Sequence, residues 1–142
     1  MPCGELDQPM TLGEVRTDIV ILACAISAGI HGALVPDHFR EGAGAGVGFV
    51  VATILLAVLA VVLTRSPSQL ALVATAAVFI GLIAGYACAI TTGVPVLHPD
   101  VEATHGLALF TKAIEAAGLV AAVSLVRRPS LAALRQPKGT LA

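Results

Sequence analysis

The sequence predicts an all-α fold, an antiparallel four-helix bundle integral to a membrane. Three observations carry that prediction. Hydrophobic residues make up 57% of the 142-residue chain and charged residues only 12%, whereas a soluble domain carries about 25% charged residues. The apolar residues are gathered into four runs, each of the length a membrane-crossing helix needs, about 17–25 residues. Every run closes on a charge, a proline or both, as expected where a helix meets lipid headgroups. The same composition excludes an intrinsically disordered chain, which needs low hydrophobicity. A net charge of −1 with no basic patch argues against nucleic acid as a partner.

The runs follow in order. Residues 19–35 are uncharged and close at Pro36-Asp37. Residues 45–63 are uncharged and close at Thr64-Arg65-Ser66-Pro67. Residues 70–92 are uncharged and end at Gly93-Val94-Pro95. Residues 106–126 end at Arg127-Arg128-Pro129, and this fourth run alone carries internal charges, Lys112 and Glu115. None shows the period-2 alternation of a barrel strand, and all exceed the roughly 10 residues such a strand spans. Together they predict a transmembrane domain over 18–128, between an acidic tail (1–17) and a basic tail (129–142).

The first span is expected to stay in the mature chain. Glu5, Asp7, Glu14 and Asp18 outweigh Arg16 ahead of it, the reverse of a secretory n-region. Ile21-Leu22-Ala23-Cys24 has a faint likeness to a lipoprotein cleavage box, but the apolar stretch before Cys24 is too short for an h-region.

Lysine and arginine in short loops set orientation. Arg16, Arg65, Arg127, Arg128, Arg135 and Lys138 fall on the side that holds both termini, and only Arg40 falls on the other. The expected topology is N-in/C-in in a bacterial plasma membrane, with outer loops at 37–44 and 93–105. Small-residue steps at Ala28/Gly32, Gly44/Gly48 and Gly81/Gly85 predict close helix approach, because lipid removes the hydrophobic drive between helices.

All four histidines, His31, His38, His98 and His105, fall at the outer face of that topology, beside Asp37, Glu41, Asp100 and Glu102. Imidazole and carboxylate together suit a divalent metal such as Zn, Mn, Fe, Ni or Cu(II). The candidate ligands are His31, Asp37, His38, His98, Asp100 and His105. The competing reading is that these are ordinary loop residues at a membrane surface, since no tight motif such as HExxH is present. Haem between His31 and His105 is the less favoured cofactor, with few aromatics to pack a porphyrin.

Lys112 and Glu115 lie at i, i+3 and share a helix face. Counted from Gly106 at 1.5 Å per residue, they sit about 9 and 14 Å deep. An ionised group there costs about 3 kcal/mol on insertion scales, which pairing partly offsets. The pair should face the bundle as a proton relay, an ion step or a site for an anionic or quinone-like ligand. A structural ion pair that fixes helix register or docks a partner is the equal alternative. Cys3, Cys24 and Cys88 are odd in number and dispersed, which argues against a disulfide framework. They read as small apolar fillers, and a Cys24–Cys88–His31 ligand set is disfavoured by the different depths of the two thiols.

The segments AGIHGALVPDHFREGAGAGVGF (28–49) and TTGVPVLHPDVEATHGLALFTKAIEAAGL (91–119) carry a further signal. They resemble small four-span membrane proteins of high-GC Gram-positive, actinobacterial type. In these, a His-x4-Pro-acid-His segment leaves the first helix, Thr-x-Gly-x-Pro leaves the third, and Lys-x-x-Glu lies in the fourth. The matching positions are His31, Pro36, Asp37, His38, Thr91, Gly93, Pro95, Lys112 and Glu115. The resemblance covers about half the chain and implies the four-span architecture, not an activity. No P-loop, nucleophile elbow or dinucleotide fingerprint appears, and an enzyme without cofactor is the least favoured class. The sequence thus supports a metal- or proton-handling membrane protein, a non-catalytic subunit of a larger membrane complex, or a haem- or quinone-linked electron carrier. Its expected partners are the lipid bilayer and either a second copy or another membrane subunit.

Overall fold

The computed structural model describes residues 10–93 and 104–127. These residues form four α-helices: α1 (Leu12–Glu41), α2 (Ala43–Arg65), α3 (Gln69–Thr91) and α4 (Gly106–Val126). All four are long and apolar enough to cross a membrane. The shortest has 21 residues, about 32 Å at 1.5 Å per residue, against a hydrocarbon core of about 30 Å.

Helix starts are set by local chemistry. Thr11 caps α1 in a capping box: its hydroxyl accepts from Glu14 N at 3.3 Å, and Thr11 N donates to Glu14 Oε2 at 2.7 Å. Two of the orphan N–H groups at that end are so satisfied. Ser68 caps α3 in the same sense, accepting from Ala71 N at 3.2 Å. Pro67, directly before it, keeps α2 from running on.

The end of α1 departs from the expected loop at 37–44. The helix runs through Pro36 to Glu41, and a single residue, Gly42, separates it from α2. Pro36 cannot donate to Gly32 O, and an interior proline costs about 3 kcal/mol. Tertiary contacts on the final turns offset this. His38 Nδ1 donates to Leu34 O at 3.0 Å, and its ring stacks on Phe49 of α2 with centroids 3.5 Å apart. Phe39 lies against Gly46, where an added Cβ would come within 2.3 Å of the ring. Asp37 and His38 therefore sit on rigid helix rather than on a loop.

The helices pack with α1 against α2 and α4, and α3 against α4 and, more sparingly, α2. The interior is made of small and polar side chains, among them Ala23, Cys24, Ser27, Thr75 and Ala122, around Phe79, Leu56 and Leu63. Large aliphatics lie outside instead, with Leu70 79% and Val120 70% exposed. A water-soluble fold buries such residues preferentially. The N-terminal turn of α1, the α2–α3 connection and the end of α4 meet around a shallow cleft that includes Thr11, Pro67, Gln69 and Leu125.

Close helix approach is concentrated at Gly118. A Cβ there would lie 2.6 Å from both Ala23 Cβ of α1 and Phe79 Cε2 of α3. The Ala28/Gly32 step also packs as expected, since a Cβ on Gly32 would meet Thr53 of α2 at 3.3 Å. Gly81 and Gly85 do not serve that purpose: a Cβ on either would meet nothing within 4 Å, because both face a cavity. Gly118→Ala should therefore lower stability by about 1–3 kcal/mol through overpacking. Gly81→Ala should be neutral or stabilising, because alanine is the better helix former. Thermal unfolding of the two variants in detergent, followed by circular dichroism, separates these outcomes.

Candidate functional site

The cavity lies between the C-terminal half of α1, the N-terminal half of α2, the C-terminal half of α3 and the start of α4, with a volume of about 800 Å³. Its walls are mostly apolar, from residues such as Ile30, Leu34, Phe49, Ala52, Leu82 and Leu107. Polar groups gather at two levels. Asp37, His38, Glu41 and His105 line the end nearest the helix termini, and His31, Thr111 and Lys112 line the inner end.

Behind the inner end is a connected network. Glu115 is fully buried, and its two oxygens have different partners. Oε2 accepts from Lys112 Nζ at 2.6 Å, and Oε1 accepts from the Ser27 hydroxyl at 2.7 Å. Lys112 Nζ also reaches Leu82 O on α3 at 3.4 Å and lies 5.7 Å from the centroid of the Tyr86 ring. Ser27 and His31 are one turn apart on α1. His31 Nδ1 approaches Ser27 O at 2.8 Å. A carbonyl only accepts, so Nδ1 carries the proton. That bond orients Nε2 toward Glu115 Oε1, 4.0 Å away and beyond direct hydrogen-bond reach. His31 is only 6% exposed, and its ring lies 5.1 Å from that of Phe49.

Two helices, α1 and α4, build this arrangement, and each placement has a local cause. Lys112 and Glu115 share a face of α4 because i, i+3 residues are neighbours on a helix. Ser27 and His31 share a face of α1 at i, i+4 for the same reason. Gly118, one turn below Glu115, brings α4 close to α1, so that the short Ser27 side chain can reach the carboxylate. Beyond Glu115 the interior is mostly apolar, with Cys24, Phe79, Val20 and Ala122, and the buried Thr75 hydroxyl there donates to Ala71 O at 2.8 Å.

The predicted candidates sort clearly. His31, Asp37, His38, His105 and Lys112 line one cavity, and Glu115 stands directly behind its inner end. His98 and Asp100 lie outside the described residues. Among the described residues no group of three His, Cys, Asp or Glu side chains converges with metal-ligating geometry. Asp37 is paired with Arg40, and His38 Nε2 lies 3.9 Å from Glu41 Oε2. Cys24 is buried and Cys88 exposed, so the disfavoured Cys24–Cys88–His31 set does not form. Below Glu115 the buried positions of α4 are Gly118, Ala121 and Ala122, with Leu119 half-buried. Sequence reasoning did not assign Ser27 to the site, although a hydroxyl four residues before a histidine in an apolar run was the available signal. It also did not place Tyr86 at the cavity wall; its hydroxyl is buried without a hydrogen-bond partner among the described residues.

Comparison with known protein families, with curated proteins and with solved structures finds no match to this chain.

Removing one member of the network should cost more than removing the pair. Glu115→Ala leaves the Lys112 ammonium without its carboxylate and should destabilise by about 3–5 kcal/mol. The double variant Lys112→Met/Glu115→Leu should recover most of that loss, because no uncompensated charge remains. Equilibrium unfolding of wild type, single and double variants in mixed micelles measures the cycle.

Proposed function

We propose that the protein is an integral membrane protein whose helices cross a bacterial plasma membrane as an antiparallel bundle, with both termini on the cytoplasmic side. In this reading the cavity opens outward and exchanges protons with the buried Glu115–His31 site. The inverted packing supports the membrane setting: lipid is the solvent that large aliphatics such as Leu70 and Val120 are suited to face. The gathering of the first turn of α1, the α2–α3 connection and the end of α4 at one end supports the antiparallel order. Arg16, Arg65 and Arg127 belong to that end, as the positive-inside rule requires of the cytoplasmic side.

One observation carries the proton reading: His31 lines the cavity, and its Nε2 lies 4.0 Å from a carboxylate oxygen of the fully buried Glu115. The imidazole is held in one tautomer by Ser27 O, so its second nitrogen can take a proton from the cavity and stands beside Glu115. Around Glu115 the charged and titratable neighbours are Lys112 on its own helix and His31 on α1. Helix α3 contributes the Leu82 carbonyl and the Tyr86 ring beside Lys112, and α2 contributes Phe49 beside His31. The closed, mostly apolar interior beyond Glu115, where the buried Thr75 hydroxyl is spent on Ala71 O, favours a one-sided binding site over a conduction path.

A second reading, divalent-cation binding, is favoured by the placing of Asp37, His38, Glu41 and His105 on the same cavity. It requires His98, Asp100 or a rearrangement of the lining to complete a ligand set.

Infrared difference spectroscopy of the full chain in lipid tests the first reading. A pH step applied to the cavity side should change the carboxyl C=O band in wild type, and Glu115→Gln should remove that change. A band unaffected by Glu115→Gln would sink the proton assignment. For the second reading, Zn²⁺ or Mn²⁺ titration should show tight binding that is lost in the triple variant His31→Ala/His38→Ala/His105→Ala. Equal binding by that variant would exclude it.

A further inference from the structure

The shape and chemistry of the cavity identify a class of occupant, an inference that rests on the membrane reading above and deepens it. We propose that the cavity binds a neutral, ring-bearing lipophilic molecule with a carbonyl or phenolic oxygen, of the quinone and hydroquinone class, its oxygen held between Lys112 and His31. Size is the first argument. About 800 Å³ falls in the range of small-molecule pockets, about 300–1,000 Å³, and is far more than a proton or a single metal ion occupies. The apolar walls from all four helices suit a hydrocarbon ring. Gly48 of α2 with Gly81 and Gly85 of α3 carry no side chain into that space, and a Cβ at any of them would touch nothing within 4 Å. They leave a broad slot between two helices that pack sparingly.

The inner end sets the polarity of the head group. Lys112 and Glu115 already balance each other's charge at 2.6 Å. An anionic head would leave one surplus charge in an apolar enclosure, which is costly. A neutral acceptor oxygen adds none. An ammonium has three N–H donors. One is taken by Glu115, one reaches Leu82 O at a long 3.4 Å, and the third has no partner among the described residues. His31 supplies the second, independent observation. It is 94% buried by its 6% exposure and borders the cavity, and its Nε2 makes no hydrogen bond among the described residues. With Nδ1–H committed to Ser27 O, neutral Nε2 accepts from a phenolic hydroxyl, and the remaining N–H of Lys112 donates to a carbonyl. The two available groups thus match both forms of one ligand class. Phe49, stacked on His38, gives the ring an aromatic wall.

The test uses the full chain in lipid nanodiscs, with menadione as the neutral probe and octanoate as the anionic one, both followed by equilibrium dialysis. Tyr86 is the only tyrosine and the chain has no tryptophan, so intrinsic emission reports the cavity wall in parallel. Wild type should bind menadione saturably. Lys112→Met should weaken binding about tenfold, the loss expected for one charge-assisted hydrogen bond. Gly81→Leu and Gly85→Leu, which fill the slot, should abolish it, while Val120→Ala on the outer face should leave it unchanged. The two filling variants keep the test decisive if Lys112→Met does not fold. Non-saturable partitioning that is equal in wild type and Gly81→Leu overturns the proposal, as does octanoate binding more tightly than menadione. A failed menadione titration alongside an intact Glu115 infrared response overturns the occupant and leaves the proton site standing.

Discussion

A carboxylate with no access to solvent has to be satisfied from within the protein, and Glu115 dictates much of what surrounds it. Two oxygens need partners in a setting where an unpaired charge would cost several kcal/mol. Lys112 supplies one from the same helix at 2.6 Å, and Ser27 supplies the other from α1 at 2.7 Å. The second bond demands that α1 and α4 approach closely, and the absence of a side chain at Gly118, against Ala23 and Phe79, permits it. The same bond commits Ser27, and Ser27 O in turn fixes the tautomer and tilt of His31. One buried charge thus links helix spacing, histidine orientation and the position of the cavity's inner end.

That constraint also explains the division of the interior. On one side of Glu115 small side chains and Phe79 close the space, and the buried Thr75 hydroxyl there is spent on Ala71 O. On the other side Gly48, Gly81 and Gly85 leave it open, and the polar groups of α1 and α4 face it. Glycines of similar sequence spacing therefore play opposite parts. Gly118 and Gly46 let neighbours approach, whereas Gly81 and Gly85 hold volume free. A helix pair that packs sparingly, α2 with α3, is the natural boundary for a cavity of this kind, since tight packing there would consume it.

Charge placement separates the two ends of the molecule. Arg16, Arg65 and Arg127 accompany the end where α1 begins, and Asp37, His38, Glu41 and His105 accompany the cavity. The exposed Asp37–Arg40 pair contributes little to stability. Its neighbour His38 matters more for packing, because its stacking on Phe49 helps carry α1 through Pro36. A residue predicted as a loop ligand is in this way also a structural clamp, and the tight Gly42 turn follows from it.

The four helices and the approximate ends of α2, α3 and α4 were legible in the sequence, because a long apolar run bounded by proline or charge has few other physical outcomes. The Lys112–Glu115 pairing was legible too, since i, i+3 spacing makes two residues neighbours on any helix. The continuation of α1 past Pro36 was not, because local propensity opposes it and only the contacts of His38 and Phe39 with α2 reverse the balance. Nor could the sequence separate Gly118 from Gly81, or attach Ser27 to Glu115, 88 residues away. Helical periodicity determines which residues share a face of one helix. Which faces then meet depends on how all four helices pack at once, and that packing alone decided that a hydroxyl, an imidazole, an ammonium and a carboxylate would close the inner end of a single cavity.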